Sequence, residues 1–224
     1  DMIEKSESEQ KISIENQDLP TIPKIGQDPL DFGILSELAS IGAGHAATAL
    51  SDVLQQEVLI TVPKIHNVPA HLLPKIFNKH EMPTTALYIR LASESDCDIL
   101  LMFEANEARK IAAMMTMVPS VDDLDPSLEA SAVEELANIL VGSFVSAISN
   151  FVDIPLVTLP PERIVDAFDA ILDHILIKNS MLYNETLIFD VSFKTNAQIS
   201  NCTLLLFPSP DLQRLLIEKS KTLA

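Results

Sequence analysis

Apolar positions along the chain change period several times, and the order of these changes repeats. Residues 1–27 are polar and carry no sustained apolar period, so a disordered tail or linker is expected there. Asp28-Pro29 then reads as a helix cap followed by proline at the first helical position. A long helix is predicted from there to about Leu54. VLITV (58–62) is β-branched and apolar, as a short strand would be. A short helix is predicted over 69–79. ALYIRLA and CDILLMF read as two strands joined by the polar turn SESD, and a helix is predicted over about 105–117. Asp125-Pro126 repeats the capped start, and a second long helix is predicted to about Phe151. PLVTL reads as a strand and 162–177 as a helix. TLIFDVSF and CTLLLF read as a strand pair, and Ser209-Pro210 caps a last helix.

The order long helix, short strand, helix, hairpin, helix therefore occurs twice, over 28–118 and 125–221. Neither half has enough strands for a comfortable core of its own. The expected architecture is α+β: one domain, 28–224, of two pseudo-symmetric repeats, with an antiparallel sheet and two long helices on one face.

The duplication is legible residue by residue. GILSELASIGAGHAATALSDVLQQEVLITVP (33–63) aligns without a gap on SAVEELANILVGSFVSAISNFVDIPLVTLPP (131–161). Glu37 matches Glu135, Gly44 matches Gly142, Ser51 matches Ser149 and Pro63 matches Pro161. Ser40 stands opposite Asn138. At 3.6 residues per turn, Glu135, Asn138, Gly142, Ser146 and Ser149 share one stripe. Glu37, Ser40, Gly44, Thr48 and Ser51 form its twin. Val133, Leu136, Leu140 and Phe144 lie opposite and belong in a core. A solvated helix face would carry long charged side chains. A face of Gly, Ser and Thr admits close approach by another body.

The stripe limits the chemistry available. The Asn138 carboxamide is a poor acid or base, but it donates and accepts hydrogen bonds at fixed geometry and suits the orientation of a water molecule. Glu135 can anchor a basic group of a partner. Neither is a nucleophile of the Ser–His or Cys–His kind, so the electrophile, and any metal, would arrive with the substrate. An ordinary solvated Glu and Asn is the bland alternative, and the repetition of Glu, Gly and Pro weighs against it.

The remaining signals mostly exclude. A net charge of −17 argues against nucleic acid and against an anionic membrane surface. Cys97 and Cys202 are too few for a disulfide framework or a zinc cluster and fit buried thiols in a reducing compartment. No spanning segment or charged-then-apolar leader is read, so a soluble, cytoplasmic protein is expected. The histidines (His45, His66, His71, His80, His174) form no spaced ligand pair, and no metal site is expected. IGAGHA lacks the strand-then-loop setting of a nucleotide cradle, and its twin has Leu140 at the place of Gly42.

The series Ser131, Glu135, Asn138, Pro161 resembles the signature of the CheC/CheX/FliY family of chemotaxis phosphatases, complete and at the family's spacing. The first copy, Gly33, Glu37, Ser40, Pro63, departs at two of its four positions. The resemblance covers about 28–221. It implies hydrolysis of the aspartyl phosphate of a CheY-type response regulator. Glu135 would contact the receiver's lysine, and Asn138 would hold the attacking water in line. Mg2+ would belong to the receiver, with no cofactor of the chain's own. Glu37 and Ser40 would form a weak or inactive second site. The resemblance also implies CheD, a receptor deamidase, as a partner, through a helix best matched to 162–177. Its Ile164, Val165, Phe168, Ile171 and Leu172 fit a core equally well. The competing possibility is a non-catalytic adaptor, or a flagellar-switch module, that binds phospho-receiver or CheD without hydrolysis.

Overall fold

The computed structural model describes residues 32–77, 81–92, 97–179, 185–195 and 199–223. The expected tail, the Asp28-Pro29 cap and the SESD turn lie outside them. Along the chain run α1 (Phe32–Leu54), β1 (Leu59–Pro69), α2 (Leu73–Ile76), β2 (Pro83–Arg90), β3 (Cys97–Glu104) and α3 (Ala105–Met115). The second half runs α4 (Pro126–Val152), β4 (Glu162–Ala167), α5 (Phe168–Asn179), β5 (Glu185–Lys194), β6 (Ile199–Pro208) and α6 (Pro210–Leu223).

The six strands form one antiparallel sheet in the order β1-β5-β6-β3-β2-β4. Exchanging each strand for its counterpart in the other half reverses this order and leaves it unchanged, as a pseudo-twofold axis requires. The axis crosses between β3 and β6, the central pair of the sheet. The first strand of each half pairs with the second strand of the other: β1 with β5, and β4 with β2. The halves are thereby interlocked in a single domain.

Both faces of the sheet are covered. On one face α1, α3, α4 and α6 enclose the larger core, which includes Leu38, Leu50, Leu101, Phe103, Leu136, Phe144 and Leu206. On the other, α2 and α5 cover a smaller core containing Phe77, Leu100, Met102, Phe168 and Phe207. Strands buried on both sides explain why ILLMF (99–103) is apolar throughout instead of alternating. Each such side chain contributes about 1.5–3 kcal/mol by leaving water.

Three elements differ from the sequence-based expectation. The strand expected at 58–62 continues to Pro69 as β1. PLVTL is not a full strand: Thr158 makes an isolated bridge to Leu91, flanked by Ala92 N–H to the Val157 carbonyl and Leu159 N–H to the Arg90 carbonyl, both 2.8 Å. Residues 162–167 are not helical but form edge strand β4, and the helix begins only at Phe168. Their helix-like apolar spacing is overridden by pairing with β2. Phe168, Ile171 and Leu172 are core residues and Ile164 packs against the same core, whereas Val165 is exposed.

The motif prolines occupy matching breaks. In β1 the register slips between Thr61 and Lys64, and Pro63 lies in the slip. In the second half pairing stops after the Thr158 bridge and resumes at Glu162, with Pro161 in the gap. Proline has no N–H to give a ladder, so an interruption in an edge strand is where it fits.

Helix α4 also corrects the expectation about membrane segments. By length and composition alone it contains an 18-residue stretch apolar enough to cross a bilayer, with mean hydropathy 1.4. In the fold its apolar side, from Val133 through Ile148, is packed against the sheet and the neighbouring helices.

Candidate functional site

Helices α1 and α4 lie side by side on the sheet, and both project their polar stripes outward. Helix α4 starts where the sequence places it: Asp125 accepts the N–H groups of Ser127 (2.8 Å) and Leu128 (3.3 Å), and Pro126 follows. The two helices meet closely at Gly42. A Cβ there would sit 3.0 Å from the Cα of Phe144, so this glycine is a crossing point and no phosphate cradle. At Gly44 and Gly142 a Cβ would meet nothing within 4 Å. Those two glycines line the open face.

The stripe divides into two parts with different tasks. Ser51 and Ser149 are structural. Val58 N–H donates to the Ser51 hydroxyl oxygen at 3.0 Å, and Leu156 N–H donates to that of Ser149 at 3.2 Å. Each serine thus locks the end of its long helix to the chain seven residues on. The twin C-caps match too: Gln55 and Asp153 both adopt left-handed backbone, φ 51° and 59°.

The other part is exposed. Glu37, Ser40, Glu135 and Asn138 all face solvent, as does Ser131. The two sites differ at one side chain. The Ser40 hydroxyl donates to the Ser36 carbonyl one turn back, at 2.8 Å, which spends its proton within the helix. Neither Glu135 nor Asn138 is held by another side chain or backbone group among the described residues. The Asn138 carboxamide therefore keeps its donors and acceptor for an incoming molecule. The Ser131 hydroxyl donates to the Ser127 carbonyl one turn back, at 3.0 Å, within its own helix. Two apolar side chains flank these positions: Ile41 beside Ser40, and Leu128 on the first turn of α4, both about 42% exposed.

Among the described residues no group of three or more His, Cys, Asp or Glu is placed to hold a metal ion. Cys97 and Cys202 are both buried and form no disulfide, and burial pushes the Cys202 thiol well up. No activated thiol is available there.

A model of the CheC-like family matches residues 34–66 and 128–165, which contain both long helices, both stripes and both prolines. Over those residues the chain is similar to the CheC-like family. It is 25% identical over 181 residues to the CheY-P phosphatase CheC of Bacillus subtilis (strain 168), covering 80% of this chain and 87% of that one. It is 31% identical over 136 residues to the flagellar motor switch phosphatase FliY of the same organism, covering 59% of this chain and 35% of FliY. Among solved structures, that of Thermotoga maritima FliY superposes with a TM-score of 0.69 at 20% identity, over 88% of this chain and 99% of that one, which bears on the fold. The fold and these similarities thus agree with the resemblance read from the motif.

The twin alignment carried more than the sequence reading took from it. Continued without a gap past Pro161, it lays Lys64–Pro69, which the structure shows to be part of β1, on Glu162–Ala167 of β4. Sequence reasoning also missed Glu129 and Arg163, whose contact at 2.9 Å ties α4 to β4.

Proposed function

We propose that this chain hydrolyses the aspartyl phosphate of a phosphorylated CheY-type receiver, with Glu135 and Asn138 of α4 as the working pair. The observation that carries this is the exposed carboxamide of Asn138, which has no side-chain partner among the described residues, one turn from an exposed Glu135 that likewise has none there, on a face kept slim by Gly142. In the proposed complex, Glu135 meets the receiver's lysine and fixes the register of docking. Asn138 donates to and accepts from one water molecule and holds it in line with the phosphorus–oxygen bond to be broken. The water attacks, the acyl phosphate opens, and phosphate and the free carboxylate leave. The chain supplies orientation and no covalent intermediate. Mg2+ enters with the receiver, and the reaction takes place in the cytoplasm.

Ser40 marks the α1 site as weak or silent, since its short hydroxyl is already donated to the helix backbone. The test is to add catalytic amounts of the protein to a radiolabelled phospho-receiver and time the loss of label. Accelerated loss supports hydrolysis. A stable complex without loss would identify a non-catalytic adaptor instead.

A further inference from the structure

The copy that carries the asparagine is also the copy whose long helix is tethered to its surroundings by charge. Arg163 Nη2 of β4 donates to Glu129 Oε1 of α4 at 2.9 Å. Arg109 Nε of α3 lies 3.4 Å from Glu129 Oε2, and its Nη2 donates to the Val121 carbonyl at 2.9 Å. The Glu129 side chain is 13% exposed and that of Arg163 25%, so water and salt screen this contact less than a surface pair. Glu129 is nine residues from Asn138, about two and a half turns, and therefore on the opposite side of the helix. The tether grips the back of α4 while the front carries the stripe.

Among the described residues the first copy shows no such arrangement. The counterpart of Arg163 is Ile65, which packs against the apolar core. The counterpart of Arg109 is Arg214, which pairs with Asp211 inside its own helix. The prolines add a further link: Pro161 stands two residues before Arg163, at the break that returns the chain to the sheet edge, so the motif proline and the tether belong to one connection.

We infer that Glu129 and Arg163 are positioning residues for the reaction at Asn138: together with Arg109 they fix the axial placement and rotation of α4, and through it the alignment of the carboxamide with the phosphoryl group. This rests on the proposed phosphatase function. Misplacement of a positioning group weakens turnover more than binding. The tether makes no contact with the docking face, so KM is expected to hold.

The experiment compares wild type with Arg163→Ile, Arg163→Lys and Glu129→Gln, together with Phe77→Leu, which loosens the opposite core layer without touching α4. Kinetics are measured on the phosphorylated receiver, and amide hydrogen exchange over residues 127–140 on the free protein. Arg163→Ile and Glu129→Gln are expected to lower kcat about tenfold with KM within about twofold, and to speed exchange in α4. Arg163→Lys is expected to recover most of kcat. Phe77→Leu is expected to lower Tm with kcat unchanged. Unchanged kcat in Arg163→Ile, or an equal loss in Phe77→Leu, would overturn the inference. A wild-type protein without hydrolysis, but with faster α4 exchange in the variants, would instead sink the phosphatase function and leave the tether in place.

Discussion

Helices α1 and α4 are built on one plan and differ where chemistry would be done. Both bury an apolar side on the same sheet face, both end in a left-handed cap, and both are locked by a serine to the segment that follows. Both are followed by a proline at a break in an edge strand. What they share is thus largely scaffold. What separates them is Asn138 against Ser40, and the Glu129–Arg163 contact against Ile65. A duplicated fold can keep its architecture under common packing demands while one copy drifts at its exposed face, because exposed positions cost the scaffold little.

The comparison can be broken first at the carboxylates. Glu135→Ala is expected to lower kcat/KM on the order of 30-fold through loss of a docked charge pair. Glu37→Ala is expected to stay within about twofold, and matching losses would put both copies at work. The next contrast is between glycines. Gly42→Ala forces a Cβ against the Phe144 backbone and is expected to destabilise by about 1–3 kcal/mol in denaturant titration. Gly44→Ala, facing open space within a helix, is expected to be neutral or to stabilise by up to about 1 kcal/mol.

Ser40→Asn sharpens the comparison by supplying the missing amide. Activity is expected to rise by at most about twofold, the value for two independent equal sites. No gain would mean that α1 also needs a tether of the kind that holds α4. The smallest effect concerns the cap. Hydrogen bonds from the Ser127 hydroxyl, then from the N–H groups of Ser127 and Leu128, hold the Asp125 carboxyl below its ordinary value of 3.8. A depressed carboxylate stabilises fully above its ordinary value, and this is lost as pH falls through the lowered one. The Tm difference between wild type and Asp125→Ala is therefore expected to be present at neutral pH and to shrink in acid. A difference that grows in acid would contradict the sign.

Much of this was legible before any coordinates. The capped starts at Pro126 and Pro210, the two hairpins and the gapless twin helices follow from local patterns, and the structure places them accordingly. The pseudo-twofold follows from the repetition. Three features were not legible from such patterns. The helical spacing of ERIVDAF describes an edge strand, because pairing with β2 outweighs local preference. Ser51 and Ser149 share a stripe with the site yet lock helix ends, which only their contacts seven residues onward reveal. Glu129 and Arg163 are 34 residues apart, and no periodicity connects them. At the candidate site, sequence named Glu135 and Asn138 and noted the weak twin. The structure adds why the twin differs beyond side-chain length: Ser40 has already donated its proton.

The central claim is that hydrolysis belongs to one copy and turns on one carboxamide. It is tested most directly by timing label loss from a phosphorylated CheY-type receiver with wild type, Asn138→Ala and Ser40→Ala side by side. The account predicts that Asn138→Ala loses about 100-fold in kcat while still binding the receiver, and that Ser40→Ala matches wild type. Retention of most activity in Asn138→Ala, or equal losses in the two variants, would contradict it.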